Sequence, residues 1–262
     1  MTTRDEPFAP GTPCWVDIFS SDVEASKAFY GGLFGWANTD AGEEYGHYVT
    51  FTSDGHQVAG MMAKPADSDM PDVWSTYIST ADLDASAGLV AEAGGQIVAP
   101  PMQVGDLGSM AIATDPAGAM FGLWQPAPHI GFTKYNEPGS VTWDEHHSKD
   151  FATTTPFYEK VFGWDMDKTS DTDEFRYFQG QIDGSTVAGL MDSKGFLPPE
   201  VPSHWAVYFS VADVDEAVEK LLSLGGSVRM EAQDTPFGRI ADVEDSTGAG
   251  FRLHSAKLAG AN

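Results

Sequence analysis

The sequence predicts an α+β fold in two tandem copies, each made of two βαβββ units. Three sets of repeated segments carry that reading. FYGGLFGW at 29–36 returns as FYEKVFGW at 157–164, and VAGMM at 58–62 returns as VAGLM at 187–191. Asp82-Leu83-Asp84 returns as Asp213-Val214-Asp215, and Gly94-Gly95 as Gly225-Gly226. DPAGAMFGL at 115–123 returns as DSTGAGFRL at 245–253. The offsets stay between 128 and 131. A repeat of that length is a duplicated domain rather than a solenoid unit, and it is expected to close its own core.

Each copy divides again. In the first, CWVDIFS alternates as a strand, and a helix follows from about Asp22 to Phe34. Ser21 or Asp22 suits its N-cap and Gly35 its stop. Ala25, Ala28, Phe29 and Leu33 fall on one helical face. Two strand-like runs, YGHYVTFTSDG and HQVAGMMAK, meet at the Asp54-Gly55 turn. The second unit opens on VWSTYIST and continues with a helix from about Asp82 to Ala93, ended by Gly94-Gly95. QIVAPPMQV, SMAIATD and MFGLWQ follow, the last two joined at Asp115-Pro116-Ala117-Gly118. The same plan recurs at 140–191 and 204–254. The expected domains are 11–125 and 140–256, with the Pro- and Gly-rich stretch 126–139 as a linker.

Composition narrows the function. The net charge of −25, from 39 acidic and 14 basic residues, repels phosphate backbones and anionic lipid, so neither nucleic acid nor a membrane surface is an expected partner. No apolar run approaches the roughly 18 residues of a membrane span, and MTTRDEPFAPGTP lacks the apolar segment of a secretory signal. Cys14 is the only cysteine, which excludes an intrachain disulfide and a cysteine metal cluster. A cytoplasmic protein is expected. There is no nucleophile elbow, phosphate-binding glycine loop or dinucleotide fingerprint.

Asp22 precedes Phe29-Tyr30 with the spacing D-x6-F-Y before LFGW, and Asp150 precedes Phe157-Tyr158 in the same way before VFGW. With the D-x-D helix starts and the D-x-x-G turns, this pattern resembles the vicinal oxygen chelate superfamily, which includes glyoxalases, bleomycin-resistance proteins and extradiol dioxygenases. The likeness spans about residues 11–256. It is nearest to a two-domain actinobacterial subgroup described as glyoxalase-like or hydroxylase-like. The resemblance implies a U-shaped mixed sheet around a concave cavity in each copy. It also implies metal ligands at fixed strand positions. Those positions fall at Trp15 and Trp143, near Gly60 to Met62 and Gly189 to Met191, near Thr76 and Ala206, and at Gly122 and Arg252. None keeps an expected ligand. The resemblance therefore implies metal-free cavities, with no cofactor.

Strand alternation places Trp15 with Asp17, and Trp143 with Glu145, on the cavity face. A Trp beside a carboxylate suits a flat or cationic small molecule; the alternative is that Trp15 and Trp143 only plug an unused cavity. Tyr48 and Tyr177 are candidate wall residues. Trp74, Trp205, Tyr77 and Tyr208 read as core packing. Arg252 either binds an anionic ligand group or pairs with Glu145. His146 and His147 read as a polar strand rim, and His47, His56, His129 and His204 as exposed loop residues. The leading expectation is a binding protein or metal-independent enzyme that takes a small molecule. One alternative is a lyase, hydroxylase or dioxygenase holding one divalent metal on Glu145, His147 and His254. The other is a non-enzymatic interaction module. The duplication supplies the second domain that single-domain relatives gain by dimerising, so a monomer with two pseudo-equivalent domains is expected.

Overall fold

The computed structural model describes residues 2–65 and 67–256. The first copy runs β1 (Pro13–Ser20), α1 (Val23–Phe34), β2 (Ala37–Asp40), β3 (Val49–Ser53), β4 (His56–Ala63), β5 (Val73–Ser79), α2 (Leu83–Glu92), β6 (Gln96–Val104), β7 (Gly108–Thr114) and β8 (Met120–Pro126). The second runs β9 (Val141–Ser148), α3 (Phe151–Phe162), β10 (Asp165–Asp171), β11 (Arg176–Ile182), β12 (Ser185–Asp192), β13 (His204–Ser210), α4 (Val214–Ser223), β14 (Ser227–Thr235), β15 (Gly238–Glu244) and β16 (Gly250–Ser255). Each copy forms one 8-stranded sheet, in the orders β2-β3-β4-β1-β5-β8-β7-β6 and β10-β11-β12-β9-β13-β16-β15-β14. The first strands of the two units lie side by side at the middle and run antiparallel, β1 with β5 and β9 with β13.

The helix signals operate as read. Asp22 caps α1 by accepting from the Ala25 N–H, and Gly35 ends it in the left-handed region at φ 74. Asp82 and Asp213 cap α2 and α4 in the same way. Two strands went unread, β2 and β10. Both are polar and largely exposed edge strands, so neither shows an alternating apolar pattern.

The core departs from the expectation that each copy closes on itself. Helix α1 lies beside α4, and α2 beside α3. One core joins the first unit of copy one to the last unit of copy two, packing Phe29, Tyr30, Leu33 and Trp36 with Phe209, Leu221, Phe251 and Leu253. The other joins the two middle units, Ile78, Val90, Phe121 and Leu123 with Phe157, Tyr158, Val161 and Trp164. The repeated motifs are the crossing points. Tyr30 Oη donates to Asp245 Oδ2 at 2.9 Å, and Tyr158 Oη to Asp115 Oδ2 at 3.3 Å, each reaching the turn aspartate of the other copy. Trp74 donates to Tyr30 and Trp205 to Tyr158, at 3.0 and 3.1 Å. Trp36 donates to the Gly139 carbonyl and Trp164 to the Gly11 carbonyl, both at 2.8 Å. The F-Y and F-G-W segments therefore lock the two copies together and take no part in either concave face.

His146 belongs to this interior. It is fully buried, with Nε2 2.6 Å from Asp115 Oδ2. His147, on the opposite face of β9, is fully buried as well. The polar-rim reading of this pair is thus corrected: His146 packs against Tyr158 and Trp205, and His147 against Glu145 and His204. Cys14 packs in the core as expected, and burial raises its thiol far above its ordinary range.

Candidate functional site

The concave face of the second sheet holds a cavity of about 190 Å³. Its floor is Trp143 and Glu145 on β9 and Tyr208 on β13, with Tyr177 and Gln179 on β11 as one wall. Phe237, Ile240 and His254 form the opposite side, and Thr142 completes it. Gly189 on β12 sits opposite Glu145 in the β-ladder, and a Cβ there would collide with the Tyr177 hydroxyl. Glycine at this point is what lets a tyrosine lie across the floor.

Glu145 is the charged centre. Its Oε1 accepts from Tyr208 Oη and from His147 Nε2, both at 2.8 Å, and lies 3.5 Å from a guanidinium nitrogen of Arg252. Trp143 donates to the Tyr177 hydroxyl, which donates in turn to Glu145. Burial opposes ionisation of this carboxyl, but the His147 hydrogen bond, the Arg252 charge and the Tyr208 hydroxyl outweigh it and hold the group down at about 2. Burial keeps the His147 imidazole neutral, down at about 4 despite the pull of Glu145. The neutral ring therefore gives its Nε2–H to the carboxylate.

Arg252 also lies against Tyr208, its guanidinium 5.1 Å from the ring centroid and in contact with the hydroxyl, and 3.5 Å from Asp242. It stands behind Tyr208 as the ion-pair partner of Glu145 rather than on the cavity surface, which decides between its two sequence readings. Arg176 forms a surface pair with Asp171 and Asp192.

Phe237 lines the cavity, and further aromatics extend from its Tyr177 wall. Phe237 is 52 % exposed and lies 5.9 Å from Tyr177. Phe175, 38 % exposed, stacks on Tyr177 at 6.0 Å with an interplanar angle of 6°. Phe196, 56 % exposed, meets Phe175 edge-on at 6.1 Å. Exposed aromatics in contact beside a concave site mark a ligand-facing surface more often than chance exposure does.

The first sheet carries the matching frame with different chemistry. Trp15 donates to Tyr48 Oη at 2.8 Å, and Tyr48 donates to Asp17 Oδ2 at 3.3 Å. Tyr77 takes the place of Tyr208 and also donates to Asp17. Phe19 stands where the second copy has His147, and Gly122 where it has Arg252. Without those two partners, burial pushes the Asp17 carboxyl up to about 7, against the hydrogen bonds of Tyr77 and Tyr48. One site is anionic at neutral pH, and the other carries a carboxyl that titrates near neutrality. Trp15 is 4 % exposed, whereas Trp143 is half-buried and open to the cavity.

These placements correct three readings. Tyr77 and Tyr208 face the concave side rather than the core, because the inward positions on their strands lie one residue beyond Thr76 and two beyond Ala206. Thr76 points between the sheets and donates to Asp144 at 2.7 Å. His129 is not a free loop residue. Its ring lies edge-on to Trp15, 4.5 Å between centroids, and burial lowers it to about 4. Phe237, Gln179 and Ile240 were missed, since they gain meaning only when β11, β15 and the turn before β15 close over the floor.

The donor set does not fit a divalent metal. Among the described residues, no group of three His, Cys, Asp or Glu is gathered to hold one. His147 spends its Nε2 on Glu145, and His254 Nε2 bonds the Phe237 carbonyl at 2.8 Å. The cation beside Glu145 is a guanidinium. The alternative centre of Glu145, His147 and His254 is therefore not assembled.

Two buried carboxyls give a pH prediction. Asp17 and Asp144 are both pushed up to about 7 from an ordinary 3.8, by burial first. In the folded chain each holds its proton until about pH 7, while the unfolded chain releases it near pH 3.8. The stability they contribute is complete below pH 3.8 and lost as pH rises through 7, at about 1.4 kcal/mol per pH unit for each group. Asp17→Asn should make the urea midpoint fall less steeply from pH 4 to pH 7. An unchanged slope would contradict the assignment.

A family model, the glyoxalase/bleomycin resistance protein/dioxygenase superfamily, matches residues 14–123 and again 147–253. The chain is 40% identical over 265 residues to the anthracycline biosynthesis protein DauV of Streptomyces sp. strain C5, covering 94% of each. It is 38% identical over 258 residues to the CFP32 protein of Mycobacterium bovis, covering 97% of each. Among solved structures it resembles a Mn(II)-bound glyoxalase from Novosphingobium aromaticivorans, with TM-score 0.65, 15% identity, and 97% and 86% of the two chains covered. The 2,3-dioxygenase LapB from Pseudomonas sp. KL28 gives TM-score 0.64 at 14% identity, covering 94% and 92%. At these identities the two structures speak for the fold alone.

Proposed function

The chain belongs to the glyoxalase/bleomycin resistance protein/dioxygenase superfamily, and from that premise we propose that it binds a flat aromatic small molecule in the cavity of its second domain, without a metal. The observation that carries this reading is Glu145. It is a carboxylate at the floor of an aromatic cavity, already held by a guanidinium, a tyrosine and a histidine. A carboxyl held at about 2 is a poor general base at neutral pH, because proton transfer works best when the pKa lies near the working pH. It serves instead as a fixed acceptor that orients what the aromatic walls hold. Trp143, Tyr177 and Phe237 supply area, and Phe175 extends it outward.

The relative named for anthracycline biosynthesis supports a fused-ring ligand. One end of such a ring system would enter between Trp143 and Phe237, with the remainder along Phe175. Calorimetric titration with an anthracycline should show saturable binding at micromolar concentration. Trp143→Ala should weaken it about tenfold, which is about 1.4 kcal/mol. Binding that is undiminished in Trp143→Ala would move the ligand elsewhere.

We also propose that the protein is a monomer, since both apolar cores are completed within one chain. A stable mass near twice 28.1 kDa by light scattering would overturn this. Among the described residues, no helix is long and apolar enough to cross a membrane.

A further inference from the structure

The first concave face has the frame of a ligand site, and the segment between the domains fills it. Residues 127–134 are fastened to both sides of that face. The His129 N–H donates to the Leu107 carbonyl at 3.0 Å, and Trp124 Nε1 donates to the His129 carbonyl at 2.9 Å. The Phe132 N–H donates to the Cys14 carbonyl at 2.8 Å, and Thr133 and Gln57 exchange two bonds of 2.9 and 2.7 Å. Gly131 makes this approach possible. It sits at φ +93, and a Cβ there would collide with the Cys14 carbonyl. The result is a ring sandwich on Trp15. The His129 imidazole meets it edge-on at 4.5 Å and 89°, and Phe132 lies tilted against it at 5.5 Å. His129 Nδ1 lies 3.1 Å from Gln57 Oε1, so the ring is fixed at its far edge too.

We propose that residues 127–134 are a built-in occupant of the first site, so that the chain takes one ligand rather than two. The proposal rests on the reading of the second cavity as a binding site. By the equivalence of Trp15 and Trp143, the His129 imidazole marks where a ligand ring lies in the second site, edge-on to Trp143. A planar aromatic or heteroaromatic ring is the class this position selects. A group tethered at both ends acts at an effective concentration of roughly millimolar or more. A free ligand at micromolar concentration does not displace it.

Calorimetry with 2-naphthol as probe tests this. The wild-type chain should take one equivalent, and Trp143→Ala should weaken its binding about tenfold. His129→Gly combined with Phe132→Ala should take two, with circular dichroism showing the variant folded. Two equivalents in the wild type, or one in the folded variant, would overturn the proposal while leaving the second site a binding site. No binding to the wild type would remove both. If the double variant does not fold, the His129 Hε1 resonance of the wild type decides. It should stay in place when the probe saturates the protein, and a probe-dependent shift would refute the built-in occupant.

Discussion

Residues 1–139 expressed alone will not give a folded monomer, and neither will residues 140–262. Each half carries only one side of both cores. Cut from its partner, the first half would expose Phe29, Tyr30, Leu33 and Trp36 from one core, and Ile78, Val90, Phe121 and Leu123 from the other. Each such side chain is worth about 1.5–3 kcal/mol when fully buried. Together the eight match or exceed the roughly 5–15 kcal/mol by which a domain is stable. The polar crossings fail at the same time, because Tyr30 loses Asp245 and Tyr158 loses Asp115. The expected result is an unfolded or self-associating fragment for each half. Mixing the two during refolding should recover a 1:1 complex with native near-ultraviolet circular dichroism. The intact chain should melt in one transition, as a single cooperative unit does. A monodisperse, cooperatively melting monomer from either half would show that the cores close within a copy after all.

That result bears on how far a sequence of this kind can be read. The repeat made the fold legible, because it located every helix and most strands twice. Asp22, Asp82 and Gly35 punctuate their helices by rules that depend only on local chemistry. The crossing of the cores was not legible. Phe29 and Leu33 mark an apolar helix face, but periodicity does not say which sheet that face meets. Two copies that share one pattern make the partners interchangeable, and only Tyr30 to Asp245 and Tyr158 to Asp115 reveal the exchange.

The site was legible in part for a related reason. Trp143, Glu145 and Tyr177 were placed on the cavity by alternation and by the resemblance, and the structure brings them together. Trp15, Asp17 and Tyr48 are brought together as well, on a face closed by the linker. Tyr208 was set aside because an aromatic on a central strand is ordinary core composition. The stretch 126–139 read as a plain connection, since nothing local shows that His129 and Phe132 return to β1. The signals for asymmetry between the copies were the exchanges of Gly122 for Arg252 and of Phe19 for His147, and the electrostatics of the two sites turn on them.

Arg252→Gly is therefore the substitution that should convert the second site toward the first. It removes the guanidinium 3.5 Å from Glu145 and leaves a buried carboxylate with His147 and Tyr208 as partners. Breaking a buried pair on one side costs about 3–5 kcal/mol, because the remaining charge is uncompensated. Glu145 can escape that cost only by taking a proton, so its pKa must rise from about 2 toward the range of Asp17. The sign of the pH dependence follows. In the wild type, the lowered pKa of Glu145 contributes stability that is present above its ordinary 4.5 and lost as pH falls through 2. In the variant the raised pKa reverses this, so the destabilisation should be largest at neutral pH and shrink toward pH 4. Urea denaturation of both proteins at pH 4 and pH 7 measures the difference. Glu145→Gln added to Arg252→Gly should recover much of the loss at pH 7, since an amide is neutral at every pH and keeps the bond from Tyr208. An Arg252→Gly variant whose loss does not change with pH, or is not relieved by Glu145→Gln, would mean that Arg252 acts through its packing on Tyr208 and Asp242 and not through the charge of Glu145.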